Sequence, residues 1–311
     1  MQTRLFPRTG WTVNPLGLGC WGLGGQYGPV SEAEAITTVE RAVDLGVTLF
    51  DTADAYGLEP GSSERLLGRA LRGRRDGIIV ATKVGNWARR QGHPFAYTHP
   101  LQILACCDAS LHRLKTDCID LYQCHIGVMD DASVFLEAFE TLIAQGKIRA
   151  FGLSTHDVAT AERFNRDGRL AAVQLDYSLL NRAPERDLLP WCHGRGIATL
   201  IRGPLAQGLL SGRFTRDSVF TDSVREKWNT GTGREDYLRM IDRVERLAAL
   251  APGGDLTALA LQFLLAQEAV TCLIPGARKP AQIEQLASLC GKAFPLPTAG
   301  IDAIIAPTIS V

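Results

Sequence analysis

Apolar residues in this chain gather in short runs near residues 13–17, 47–51, 78–83, 119–125, 149–154, 172–176, 197–202 and 270–275. Runs of that length, bounded by turn-forming residues, suit strands buried on both faces. Between the runs, apolar residues recur three or four positions apart. Examples are Ala35, Val39, Ala42 and Val43, then Leu66, Leu67 and Leu71, the spacing of helices that bury one face. Helix-start signals fit: Ser31 ahead of Glu32 and Glu34, Ser62 or Ser63, and Thr98 ahead of Pro100. Strands alternating with helices predict a parallel sheet, and eight such units predict a closed (β/α)8 TIM barrel. No linker or low-complexity stretch divides the chain, so residues 1–311 are expected to form one domain.

Two parts lie outside the repeat. Residues 3–13 read as a β-hairpin turning at Arg8-Thr9-Gly10 and plugging the bottom of the barrel. Residues 203–256 form a long insert after strand seven: a Gly/Leu-rich start, a polar stretch from Thr215 to Glu235, and a helix from about Asp236 to Leu250. A connection that long inside a compact domain is usually functional. The run Gly17-Leu-Gly19-Cys-Trp-Gly22 fits a dinucleotide-binding fingerprint, which requires a helix opening on its third glycine. Here Gly24, Gly25 and Gly28 continue an irregular loop up to Ser31, so the reading is a glycine-rich loop with Trp21 projecting toward a pocket.

Net charge is +0 and the pI is near 7.0, so neither nucleic acid nor an anionic membrane is an expected partner. No apolar run approaches the roughly 20 residues that span a bilayer. The first residues lack the apolar core of a secretory signal. The eight cysteines show no CxxC and no paired spacing, which points to a reducing, cytoplasmic setting without disulfides. The six histidines are not clustered with carboxylates, so no metal centre is expected and a metal-dependent barrel hydrolase is an outside reading.

The chemistry sits at strand ends. Asp51 closes the second run, Lys83 the third and His125 the fourth, while Tyr56 follows in Asp51-Thr-Ala-Asp-Ala-Tyr56-Gly57. In a parallel barrel the carboxyl ends of the strands converge on one face. A tyrosine is ordinarily a poor acid, with a pKa of about 10, and a nearby ammonium stabilises its phenolate. Lys83 can supply that charge, Asp51 can hold Lys83 by a charge-assisted hydrogen bond, and His125 can donate to a substrate oxygen. Singly, each has a plainer use as a cap, a packing group or a solvated strand end. On consecutive units of one rim they suit protonation of a carbonyl oxygen while a hydride reaches its carbon.

From its first residues to about residue 290 the chain resembles the aldo-keto reductases. The resemblance rests on the amino-terminal hairpin, Gly17-Leu-Gly19, the 51–57 motif, Ala81-Thr-Lys83, His125 and Gly146-Lys-Ile-Arg-Ala-Phe-Gly-Leu-Ser154. Val173-Gln-Leu-Asp-Tyr-Ser178, Gly203-Pro-Leu-Ala-Gln-Gly-Leu-Leu-Ser-Gly212 and Ile274-Pro-Gly-Ala-Arg278 complete it. The resemblance implies that Tyr56 is the general acid, tuned by Lys83 and Asp51, and that His125 directs the carbonyl. It implies a nicotinamide dinucleotide, usually NADPH with NADH possible, lying extended across the rim. Ser154, Thr155 and Gln174 would meet the carboxamide, although Gln174 also reads as a satisfied polar group at a strand end. Gly203, Leu205, Gln207 and Gly208 would lie over the pyrophosphate, with Ser211 and Arg213 adding donors. Gly276 and Arg278, at a helix opening with Pro280, would form a phosphate site, unless Arg278 and Lys279 are merely solvated. Gln282 and Gln285 occupy the region that reads the adenosine end.

The chain departs from the family pattern at two places. Thr155 stands where many relatives have asparagine, which weakens or replaces a carboxamide contact. Arg202 stands where an aromatic ring usually stacks on the nicotinamide, and a cation there is expected to favour the reduced cofactor. Trp21, Tyr27 and Trp87, with Trp228, are candidate walls for an aldehyde, small ketone or sugar; Arg89 and Arg90 follow Trp87 on the same loop. The expected activity is NADPH-dependent reduction of aldehydes or small ketones. The alternatives are an aldose dehydrogenase running the same site oxidatively, or a cofactor-binding regulatory subunit like the voltage-gated potassium-channel β-subunits. Against the last, the hairpin begins almost at Met1, leaving no inactivation peptide. Oligomeric state is not legible in the sequence.

Overall fold

The computed structural model describes residues 3–93, 95–291 and 295–305. Strands β1 (Arg4–Phe6) and β2 (Trp11–Val13) form an antiparallel hairpin. Eight parallel strands follow: β3 (Leu18–Gly19), β4 (Leu49–Asp51), β5 (Ile79–Val84), β6 (Ile119–Cys124), β7 (Ile148–Ser154), β8 (Ala172–Asp176), β9 (Ala198–Arg202) and β10 (Cys272–Leu273). They pair in sequence order, and parallel bridges from Leu16 to Leu273 and from Gly19 to Gly276 close the ring. The predicted TIM barrel, its amino-terminal hairpin and its insert after the seventh barrel strand are all present. The first barrel strand falls at 18–19 rather than at 13–17. The earlier residues serve the hairpin, and Pro15, which has no N–H, contributes only its carbonyl, to Leu273.

Helices alternate with the strands: α1 (Glu32–Asp44), α2 (Ser62–Ala70), α3 (Trp87–Arg90), α4 (Pro100–Leu114), α5 (Ser133–Ala144), α6 (Val158–Phe164), α7 (Leu188–Gly194), α8 (Gly231–Ala248), α9 (Leu256–Leu265), α10 (Pro280–Cys290) and α11 (Thr298–Ile304). Ser31 caps α1 by accepting from the Glu34 N–H, as its position predicts. The cap of α4 is His99 rather than Thr98. Its side chain accepts from Leu101 N–H, while Gln102 reaches back to the His99 and Thr98 N–H groups. Pro100 sits at the first turn, where its missing N–H costs nothing.

Two apolar cores result. One lies between the outer strand faces and the helices. The other fills the barrel with inward residues such as Leu49, Ile79, Ala81, Leu121, Ala172, Ala198 and Leu200. Side chains alternate along a strand, so inward parity carries from Leu49 to Asp51, from Ala81 to Lys83, from Leu121 to Gln123 and from Ala172 to Gln174. The top layer is therefore polar by register alone. At the bottom, Phe6 and Val13 of the hairpin are fully buried in the inner core. Gly19 permits the closure: a Cβ there would stand 2.6 Å from the Ile274 carbonyl oxygen.

If the hairpin is the barrel's floor, Phe6→Ala should cost about 3–5 kcal/mol of stability, read as a lower urea midpoint. A midpoint matching the parent would show that the floor is dispensable.

Candidate active site

The inward parity just described delivers a buried ionic centre at the carboxyl ends of β4 and β5. Lys83 is fully buried, and its Nζ donates to Asp51 Oδ1 (2.8 Å) and Oδ2 (2.7 Å), to the Thr52 carbonyl (2.9 Å) and to the Tyr56 hydroxyl (3.1 Å). Burial opposes the ammonium, but the Asp51 carboxylate and the Tyr56 hydroxyl outweigh it and hold the Lys83 pKa above its ordinary value. Asp51 Oδ1 also accepts from Gln123 (3.2 Å) and from Gln174 (2.7 Å). The carboxylate is thus tied to β5, β6 and β8 at once.

Tyr56 and His125 meet edge to face, ring centres 5.8 Å apart. Burial first, then the Lys83, Arg90 and Arg202 cations, push the His125 imidazole well below its ordinary pKa, so it is neutral near pH 7. Its Nδ1 has no hydrogen-bond partner among the described residues. Tyr56 is held from behind: its N–H donates to the Ala53 carbonyl and its carbonyl accepts from Ser63. The four residues expected together at the rim, Asp51, Tyr56, Lys83 and His125, are together.

Above them lies a cavity of about 530 Å³. Trp21, Tyr27, Tyr56 and Trp228 supply aromatic walls, and the floor includes Asp51 and Gln174. Along the rim stand Arg202, Gly203, Leu205, Gln207, Gly208, Ser211 and Arg213, and opposite them Gly276, Arg278, Gln282 and Gln285. Gln174 spends its NH2 group on Asp51 and leaves Oε1 without a partner among the described residues. Ala206 and Gln207 both adopt left-handed backbone (φ 45° and 56°), followed by Gly208 at 94°. Consecutive non-glycine residues in that region store strain and mark functional loops. Gly203 is equally constrained, since a Cβ would lie 2.3 Å from Asp176 Oδ1.

Arg278 donates from Nη1 to the Tyr27 carbonyl (2.6 Å), and its N–H donates to Gln282 Oε1 (2.8 Å) at the start of α10. Burial lowers its pKa, and so do Arg225 and Arg213, which places three guanidinium groups around one end of the cavity. Arg225, anchored to Asp222 at 2.8 Å, stacks 5.2 Å from the Tyr27 ring centre. The sequence reading missed Arg225; its signal was the Asp222–Arg225 spacing inside the polar part of the insert. Arg202 faces Asp176 (3.2 Å) and His156 (2.9 Å), because register places Asp176 opposite Arg202.

Two expected residues stand elsewhere. Thr155 is buried; its hydroxyl donates to the Gly127 carbonyl and accepts from the Asp157 N–H (2.9 Å), so it shapes a turn outside the cavity. Trp87 opens α3, is 39% exposed and does not line the cavity; it lies beside Tyr97 and Cys106 instead. Ser154 is half-buried at the end of β7, paired in register with Gln174. All eight cysteines are free thiols, and no candidate metal cluster occurs among the described residues. No helix among them is long and apolar enough to cross a membrane.

The chain matches the model of the Aldo/keto reductase family over residues 15–306. It is 35% identical over 304 residues to the aldo-keto reductase YhdN of Bacillus subtilis, covering 94% of this chain and 89% of that protein. Among solved structures it is similar to the holo form of aldo-keto reductase AKR11C1 from Bacillus halodurans (30% identity, TM-score 0.82, 100% of this chain and 98% of that one). It is also similar to the glycerol dehydrogenase AKR11B4 from Gluconobacter oxydans (28%, 0.81, 99% and 96%). An aldo/keto reductase from Klebsiella pneumoniae in complex with NADP and acetate is a third match (25%, 0.77, 100% and 98%).

Asp54 is a buried carboxyl behind the Tyr56 loop. Neither of its oxygens has a well-formed hydrogen bond among the described residues, although the Gly85 and Ala55 N–H groups lie near. Burial, and then the neighbouring Glu64, raise its pKa from 3.8 to about 7. The folded chain therefore keeps a proton that the unfolded chain releases, and stability falls as pH rises from about 4 through about 7. Asp54→Asn should flatten that slope and gain on the order of 2–4 kcal/mol at pH 8, read from urea unfolding at pH 5 and pH 8. An unchanged slope would acquit Asp54.

Proposed function

Because the chain belongs to the aldo/keto reductase family and is an NAD(P)H-dependent oxidoreductase, we propose that it reduces aldehydes and small ketones to alcohols with NADPH, Tyr56 acting as the general acid. One observation carries this reading: Lys83 Nζ lies within hydrogen-bond distance of both Asp51 and the Tyr56 hydroxyl, beneath the cavity.

The cavity's residues fit a nicotinamide dinucleotide. The free Oε1 of Gln174 suits the carboxamide NH2, with Ser154 beside it. The left-handed turn at 206–208 and the guanidinium groups of Arg213, Arg225 and Arg278 suit phosphates. When bound, the nicotinamide supplies the hydride. The chain's own residues handle the proton. His125, neutral, donates a hydrogen bond that orients the carbonyl oxygen toward Tyr56. The Tyr56 hydroxyl gives its proton to that oxygen as the carbonyl carbon takes up the hydride. Lys83 stays charged and stabilises the phenolate that remains, and Asp51 keeps Lys83 from leaving its site. A proton from solvent then restores Tyr56.

The preference for NADPH rests on Arg278, held across the cavity by Tyr27 and flanked by Arg213 and Arg225. The Klebsiella relative's complex with NADP supports it. The same site run toward oxidation of a sugar or polyol hydroxyl is the second reading, favoured by the likeness to a glycerol dehydrogenase. Initial rates with NADPH plus an aldehyde, set against NADP plus an alcohol, separate the two.

Tyr56→Phe should lower kcat by about 10²–10⁴-fold while NADPH affinity, read by quenching of tryptophan fluorescence, changes little; near-parental turnover would remove Tyr56 as the acid. Arg278→Ala should weaken NADPH binding by about 10-fold or more and NADH far less. Equal losses for both cofactors would place the 2′-phosphate elsewhere.

A further inference from the structure

Against Trp21 and Tyr56, two rings of the cavity wall, lies a cation that the proposed chemistry does not use. Helix α3 is a single turn that begins four residues beyond Lys83, and its last residue, Arg90, reaches back over the active centre. The Arg90 guanidinium carbon lies 5.4 Å from the Tyr56 ring centre and 5.5 Å from the Trp21 ring centre. The two rings are neighbours, their centres 6.1 Å apart, and a planar guanidinium is well suited to lie against such a pair. Of the cavity's arginines, Arg202 has Asp176 and Arg225 has Asp222 as counter-charges, while Arg213 and Arg278, at the end proposed for cofactor phosphates, make no ion pair among the described residues. Arg90 makes no ion pair among the described residues. Asp51, the acid of the catalytic centre, is committed to Lys83, Gln123 and Gln174. Arg89 beside it is exposed and adds positive charge to the same mouth.

We propose that Arg90 determines substrate specificity, selecting carbonyl compounds that carry a carboxylate a few carbons from the reacting group. The inference rests on the reductase reading, because it fixes the carbonyl oxygen at the Tyr56 hydroxyl. The Arg90 guanidinium carbon is 5.4 Å from the centre of the ring that carries that hydroxyl, a separation of the order that a short methylene chain bridges. A carboxylate at that distance meets the planar fork of Arg90 in two parallel hydrogen bonds and supplies the missing counter-charge. A neutral aldehyde must share the mouth with an unpaired cation and gains nothing from it. The Trp21 and Tyr56 faces hold the guanidinium in place before substrate arrives, which reduces the ordering cost of binding.

The test compares 4-oxobutanoate with butanal, substrates alike in chain length and different in charge. The parent protein should show kcat/KM for 4-oxobutanoate at least about 10-fold above butanal. Arg90→Gln should bring that ratio close to one, and Arg90→Glu should invert it. Raising the salt concentration should erode the parental ratio, since an exposed charge is screened. Equal kcat/KM for the two aldehydes in the parent, or a ratio unmoved by Arg90→Gln, would overturn the assignment. A second readout separates this inference from the reductase reading: binding of succinamate and butanamide, which are not reduced, to the protein with NADPH by calorimetry. Tighter binding of succinamate, lost in Arg90→Gln, supports Arg90 even if neither aldehyde turns over. Absence of turnover with both aldehydes counts against the reductase reading alone, and equal binding of the two amides counts against Arg90.

Discussion

The ion pair between Lys83 and Asp51 is the constraint on which the rest of the site depends. Both side chains are almost wholly removed from water, and charges so buried persist only when paired and fully hydrogen-bonded. Removing one partner of such a pair costs about 3–5 kcal/mol, because the other is left uncompensated. The chain meets that demand with Thr52, Tyr56, Gln123 and Gln174, drawn from three different stretches of sequence. The pair therefore acts as a clamp on β4, β5, β6 and β8. The proposed proton donor is one of the groups that satisfies the clamp. A tyrosine that helps stabilise a buried ammonium is already positioned for its phenolate to be stabilised by it.

Much of this was legible in the sequence, and the reason is geometric. Asp51, Lys83 and His125 each end their own apolar run, so knowing that the strands are parallel is enough to bring them to one face. Tyr56 lies only five residues beyond Asp51. The barrel itself followed from the alternation of runs. What the sequence hid depends on side-chain direction and on pairs far apart in the chain. Thr155 follows Ser154 at a strand end, yet its hydroxyl turns to Gly127. Trp87 follows a strand end too, but its indole does not line the cavity, and the single turn of α3 instead carries Arg90 against the Tyr56 and Trp21 rings. Residues 13–17 had the composition of a strand, and the hairpin and Pro15 moved the pairing segment to 18–19.

The insert after β9 shows how local strain and long-range charge cooperate. Ala206 and Gln207 hold left-handed backbone that ordinary residues avoid, and such a conformation persists only where its surroundings impose it. Here the Asp222–Arg225 pair does so: Arg225 stacks on Phe214, Phe220 and Tyr27 and reaches the Gln207 carbonyl. The insert is thereby fastened to the loop after β3, and the cavity runs beneath that fastening. A segment that read as polar and irregular in sequence is ordered by one ion pair and its aromatic neighbours.

The distribution of charge along the cavity then bears on Arg202. Taken from sequence alone, Arg202 was an isolated cation where an aromatic ring usually stacks, and it was expected to disfavour an oxidised, positively charged nicotinamide. Register changes that picture, since Asp176 lies opposite it on β8 and takes up its charge. His156, its other neighbour, is pushed by burial and by Arg202 itself toward the neutral form, so it adds no second cation. The middle of the cavity is therefore close to electrically balanced, while Arg278 and Arg213 make one end positive and Arg90 adds a cation against the Trp21 and Tyr56 wall. A balanced centre imposes little penalty on either redox state of a nicotinamide. These cations suit groups that stay anionic throughout the reaction: cofactor phosphates at the positive end and, on the proposed reading, a substrate carboxylate at Arg90. Asp176 thus gives Arg202 a counter-charge, and on the proposed reading Arg202 need not favour one redox state of the cofactor over the other.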